Sequence, residues 1–273
     1  MRLSHYIASG RARLAATVVG NGNGAPVVFL HAGVADGRMW CEQLGALSRA
    51  GHRAIAYDRR GMGQTEWVEE DYSAVADLVA VLRAVATDQP AILVGCSQGG
   101  QIAVDAALLH PGWVRALVLI APSVSGAPPA NHPRAIQDLL GRLDAAQRAG
   151  DGERVNAIKA HCWLDGPLEP EGRVTGEPRE RFLAMNGIIL RAPAVGANLD
   201  VTPAYPRLRD IAAPALVLSG ALDFPHIQAR CRHVATAMPR ATLQELPGVA
   251  HLPSLERPHD VTERLVAFCQ DCR

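Results

Sequence analysis

The sequence predicts an α/β domain: a mostly parallel sheet with helices on both faces and a helical insertion ahead of the last two strands. Three observations carry this. Short β-branched or aliphatic runs alternate with segments of helical periodicity, and that alternation implies right-handed crossovers between parallel strands. The strand signal stops near Pro122 and resumes after Pro206. The chain has 273 residues, 48% of them hydrophobic, enough to bury one large core.

Taken in order, weak alternating runs at 3–8 and 13–19 supply one or two antiparallel edge strands. "APVVFLH" (25–31), "HRAIAYD" (52–58), "PAILVG" (90–95) and "RALVLIA" (115–121) read as buried strands. Between them "MWCEQLGALSRAG", "YSAVADLVAVLRAVA" and "SQGGQIAVDAALLHP" carry helical spacing. The Pro/Gly-rich "PSVSGAPPANHP" then leads into the helical patterns "AIQDLLGRLDAAQRAG" and "PRERFLAMNGIILRA". This stretch reads as an inserted lid, 122–206, in a core formed by 1–121 and 207–273. Strands "ALVLSG" (215–220) and "ATLQEL" (241–246) follow, alternating with "PHIQARCRHVATAMP" and a closing helix "RPHDVTERLVAFCQ".

Acidic and basic side chains balance to a formal charge of zero, so the basic footprint that holds nucleic acid or an anionic membrane is absent. The first twenty residues interrupt with arginine and glycine the apolar core a signal peptide needs. No apolar run approaches a membrane span, and the expected location is cytoplasmic. The six cysteines, at 41, 96, 162, 231, 269 and 272, are too irregular for a disulfide framework and read as reduced thiols. Cys269 and Cys272 have the spacing of half a metal or redox site; with no second half they read as surface positions.

Ser97 stands in Gly95-Cys96-Ser97-Gln98-Gly99, directly after a predicted strand and before a predicted helix. A G-x-S-x-G serine there is presented on a sharp turn at the carboxyl end of the sheet, where open α/β sheets bind ligands. A serine hydroxyl needs a base, itself oriented by a third group. Asp223, in the loop after "ALVLSG", and His251, in the loop after "ATLQEL", occupy strand ends in the order serine, acid, histidine. Alternatively Asp223 caps the next helix, His251 is an ordinary loop histidine and Ser97 is a helix cap. Oxyanion donors are expected from the backbone NH of Gln98 and of Gly33, with Val34 as the second choice for the latter. His31 is expected to hold loop geometry. Cys96 is expected to pack into the sheet.

Together "HAGVADGRMW", "DRRGMGQT" (58–65), "GCSQGG", "LDFPHI" and "PGVAHLPSLERP" resemble the oxyanion loop, the D-x-R-G-x-G-x-S/T turn, the nucleophile elbow, and the acid and base loops of the α/β-hydrolase superfamily. The resemblance runs from about residue 12 to the C-terminus. It implies about eight strands, a helical cap over the site, and no metal or organic cofactor. The oxyanion loop departs from the pattern, reading His-Ala-Gly where many relatives have His-Gly-Gly. Haloalkane dehalogenases and epoxide hydrolases of this fold use an aspartate nucleophile, so Ser97 argues against both. The expected activity is hydrolysis of a small or medium carboxylic ester or lactone through an acyl-enzyme. The alternatives are C–C hydrolysis of a β-diketone-like substrate and a ligand receptor with slow turnover. Trp40, Trp163, Met185, Ile188 and Ile189, with Val34, are the candidate pocket residues; the lid residues among them could equally form the lid's own core. A homo-oligomer is left open.

Overall fold

The computed structural model describes residues 2–85 and 89–272. One sheet holds eight strands: β1 (Arg2–Ser9), β2 (Ala12–Val19), β3 (Gly24–Leu30), β4 (His52–Tyr57), β5 (Ala91–Cys96), β6 (Val114–Ile120), β7 (Ala215–Gly220) and β8 (Ala241–Leu246). Their order is β1-β2-β4-β3-β5-β6-β7-β8. β2 is antiparallel to both its neighbours, and every other pairing is parallel. The two weak runs at the start of the sequence are thus the edge hairpin. Their signal is weak because β2 buries only alternate side chains, Ala12, Leu14, Ala16 and Val18.

The central strands are covered on both faces and read as continuous apolar runs. Their alternation sorts side chains between two cores. Val28, Leu30, Leu93, Leu117 and Leu119 face one, with residues of α2 (Ala74–Val85), α3 (Gln98–Leu109) and α7 (Pro225–Ala237). Val27, Phe29, Ile92, Val94, Val118 and Ile120 face the other, against α1 (Cys41–Arg49), α8 (Pro253–Glu256) and α9 (Pro258–Asp271).

Between β6 and β7 the chain is helical, with α4 (Arg134–Arg148), α5 (Gly152–Ala160), a π turn at His161–Asp165 and α6 (Glu177–Arg191). The sequence pattern picks out α4 and α6 and misses α5. α5 is one short helix opened by an Asp151 side chain that accepts from the Arg154 amide, and its apolar face is too brief to show a period. Among the described residues no helix is long and apolar enough to cross a membrane. All six cysteines are free. The surface reading of Cys269 is wrong: it is fully buried under the sheet, because α9 turns that side of its last turns into the core.

Candidate active site

Ser97 is the single residue between the end of β5 and the start of α3, at φ 53° and ψ −116°. A non-glycine residue held there costs roughly 1–3 kcal/mol and needs its surroundings to enforce it. The end of β6 does so. The Ser97 amide donates to the Ile120 carbonyl at 2.9 Å, and the Ser97 carbonyl accepts from Ser123 at 3.0 Å and Gln101 at 3.1 Å. The flanking glycines permit the closeness of strand and helix. A Cβ on Gly95 would lie 2.5 Å from the Gly99 carbonyl oxygen, and one on Gly99 would lie 2.2 Å from the Leu30 oxygen.

Asp223 and His251 meet as a buried pair: His251 Nδ1 donates to Asp223 Oδ2 at 2.7 Å. The other carboxylate oxygen accepts from the Phe224 amide, also at 2.7 Å. α7 starts two residues after Asp223 and takes no side-chain cap, so Asp223 is not spent on capping it. The Cys96 thiol donates to the His251 carbonyl, Sγ to O 3.8 Å, which sets the histidine loop against the elbow. Cys96 is fully buried, and burial pushes its thiol far up, out of nucleophilic reach.

The loop after β3 supplies backbone donors. Among the described residues the amides of Gly33, Val34 and Gln98 make no hydrogen bond, and a Cβ on Gly33 would stand 2.9 Å from Gln98 Oε1, so this loop lies against the elbow. His31 holds the loop in place. Its Nε2 accepts from the Arg59 amide at 3.0 Å, which leaves the ring proton on Nδ1 to bond the Ala32 carbonyl at 2.9 Å. Burial, helped by the Arg59 guanidinium, holds its pKa well below the ordinary histidine range, so the ring is neutral. Asp58 ties the same loop to its neighbour by accepting from the Gly37 and Gln64 amides at 2.7 and 2.8 Å. Burial outweighs those bonds and pushes its carboxyl up to about 6.

Of the candidate pocket residues, Trp163 is at the site: its ring centroid is 4.7 Å from those of His251 and Phe224. Trp40 and Met185 correct the expectation. Both are wholly buried in the core on the α1 face, Trp40 against Phe29 at 5.1 Å, and neither offers surface to a substrate. Ile188 lines a separate cavity of about 250 Å³ shared with Arg38 and Asp58. Ile189 is half-buried on α6, and Val34 is half-buried against the α1-face core. Phe224, His132 and His226 went unnoticed in the sequence. Their rings pack in succession, His132 5.8 Å from Phe224 and 5.0 Å from His226. The adjacency of Phe224 and His226 to Asp223 was the available signal.

The insertion is also tied to the histidine loop. Arg173 donates to the Leu164 and Asp165 carbonyls and to Glu256 Oε2 at 2.6 Å, while Glu256 Oε1 accepts from the Ala250 amide at 2.7 Å.

This strand order and the strained serine at the end of β5 define an α/β-hydrolase fold. The chain belongs to the alpha/beta hydrolase family, whose model matches residues 27–264. It is 32% identical over 268 residues to a candidate carbamate hydrolase, RutD, of Variovorax paradoxus (strain S110), covering 96% of this chain and 92% of the relative. It is 29% identical over 266 residues to a candidate non-heme bromoperoxidase, BpoC, of Mycobacterium tuberculosis, covering 91% and 95%. Among solved structures, one described as Est816, an N-acyl homoserine lactone degrading enzyme, superposes with a TM-score of 0.74 at 25% identity, over 96% of this chain and 99% of the other.

Proposed function

We propose that the chain is a serine hydrolase that cleaves a small or medium carboxylic ester or lactone through an acyl-enzyme. The observation that carries this is the buried Asp223–His251 hydrogen bond set against a serine in a strained elbow. Asp223 fixes the proton on Nδ1 and leaves His251 Nε2 as the base for Ser97. Ser97 Oγ attacks the carbonyl, His251 takes its proton and returns one to the leaving alcohol, and water repeats the sequence to release the acid. The uncommitted amides of Gln98 and Gly33, or Val34, receive the oxyanion, each donor contributing roughly 3 kcal/mol to lowering the barrier. The lactone-degrading and carbamate-hydrolysing descriptions of the relatives fit the same carbonyl chemistry. Residues 122–206 act as a lid over the site, and six free thiols suit a reducing cytoplasm.

A serine-directed phosphonate is expected to label the protein once, on the peptide containing Ser97. Mass spectrometry that finds the adduct in Ser97→Ala would discard the assignment. Repeated turnover of activated esters separates this reading from a receptor that merely retains ligand.

Trp163 covers His251 from the insertion, so its role is in shaping the acyl pocket. Trp163→Ala is expected to change relative kcat/KM across a series of acyl lengths, while phosphonate labelling continues at a similar rate. An unaltered selectivity profile would return Trp163 to a purely packing role.

A further inference from the structure

A cavity of about 230 Å³ lies beside the elbow, walled by Arg59, Tyr72, Gln98, Gln101, Val195 and Asn198. Arg59 is only 8% exposed, and its guanidinium cannot shed its proton to escape the cost of burial. Its Nη2 reaches the His31 and Ala32 carbonyls, both at 3.1 Å. Nε is buried without a partner, and among the described residues no carboxylate pairs with it.

The neighbouring charges leave Arg59 unbalanced. Arg60 and Asp77 also wall the cavity, but Asp77 gives both its oxygens to Arg60, at 2.9 and 3.1 Å, and Glu70 adds a second carboxylate to Arg60 at 2.6 Å. Other donors nearby are uncommitted too. Tyr57 Oη is buried without a partner, and among the described residues Tyr72 Oη and Asn198 Nδ2 make no hydrogen bond. A fixed cation with surplus donors and, among the described residues, no carboxylate partner suits a planar, doubly accepting anion. Gln98 is shared between this cavity and the oxyanion loop, so an anion held here sits next to the reacting carbonyl.

We propose that this cavity is a carboxylate-binding subsite and that the substrate is an ester or lactone whose acyl part carries a free carboxylate. The proposal rests on the serine-hydrolase reading and narrows it to a substrate class. Arg59 pairs with the carboxylate, Tyr72 and Asn198 donate to it, and the acyl chain runs past Gln98 to Ser97.

The test compares two para-nitrophenyl esters of equal acyl length on the full chain, the hexanoate and the hemiadipate, which end in a methyl and a carboxylate. Wild type is expected to favour the hemiadipate in kcat/KM by about ten-fold or more, the size of one charge-assisted hydrogen bond. Arg59→Met, which removes the cation, and Val195→Trp, which fills the cavity, should each bring that ratio to one or below, whatever they do to both rates together. Adipate should inhibit hexanoate hydrolysis competitively. A wild-type ratio near one, or a ratio that survives both substitutions, overturns the subsite. Non-competitive inhibition would make the carboxylate a separate small acid and overturn the substrate class. If neither ester turns over, the serine-hydrolase reading has failed, and calorimetry with adipate still decides the subsite: binding to wild type that is lost in Val195→Trp upholds it, and no binding overturns it.

Discussion

Asp223→Asn is expected to lower kcat/KM by about three to four orders of magnitude. The substitution keeps the size of the side chain, and the asparagine oxygen can still accept from the Phe224 amide. What it loses is the charge opposite His251 Nδ1, at 2.7 Å. In that same orientation the amide NH2 takes the place of Oδ2, donates to Nδ1, leaves the ring proton on Nε2, and so blocks the nitrogen proposed to accept from Ser97. The fold should persist, since the pair remains filled and hydrogen-bonded. Because members of such a unit fail together, Ser97→Ala with Asp223→Asn should be hardly slower than Ser97→Ala alone. Steady-state kinetics on the three variants decide it, and losses that simply multiply would show that the acid lies elsewhere.

The second large effect concerns stability. Gly99→Ala is expected to cost about 3 kcal/mol or more, or to prevent folding, because the added methyl meets the Leu30 oxygen at 2.2 Å and the His31 oxygen at 2.8 Å, both backbone. Neither can move without pulling β3 and the loop that follows it out of register with β5. Gly141→Ala is the control. It lies in α4 with nothing within 4 Å of the new methyl, so it should gain roughly 0.5–1 kcal/mol from helix propensity. Urea denaturation of both variants measures the difference. A Gly99→Ala protein as stable as wild type would mean that the elbow is less tightly closed than these contacts require.

The sheet was largely readable from the chain because its central strands are buried on both faces and leave uninterrupted aliphatic runs. The candidate residues Ser97 and Asp223 stand out because each follows such a run, β5 and β7, whereas His251 follows β8, an edge strand with mostly exposed side chains, and is marked by chain order; the fold brings the ends of these strands to one edge. The surroundings were less accessible. Trp40 ends a single 3-10 turn at Gly37–Trp40 and Met185 lies on the core side of α6, and only the placement of those segments on the sheet decides which way either points. Arg59 shows the same limit. Neighbouring arginines 59 and 60 look equivalent as letters, yet Arg60 is balanced by two carboxylates and Arg59, among the described residues, by none, a distinction made by contacts from residues 10 to 17 positions away.

The link from Arg173 through Glu256 to the Ala250 amide has a consequence for inheritance. The side chain of Glu256 is 4% exposed, and leaving a buried carboxylate without its cation costs about 3–5 kcal/mol. An insertion grafted from a relative without a cation at position 173 would therefore strand Glu256 and loosen the amide immediately ahead of His251. The insertion and the His251 loop are therefore bound to be exchanged as one block, and on the proposed function a shuffled library that breaks between them should yield few active descendants.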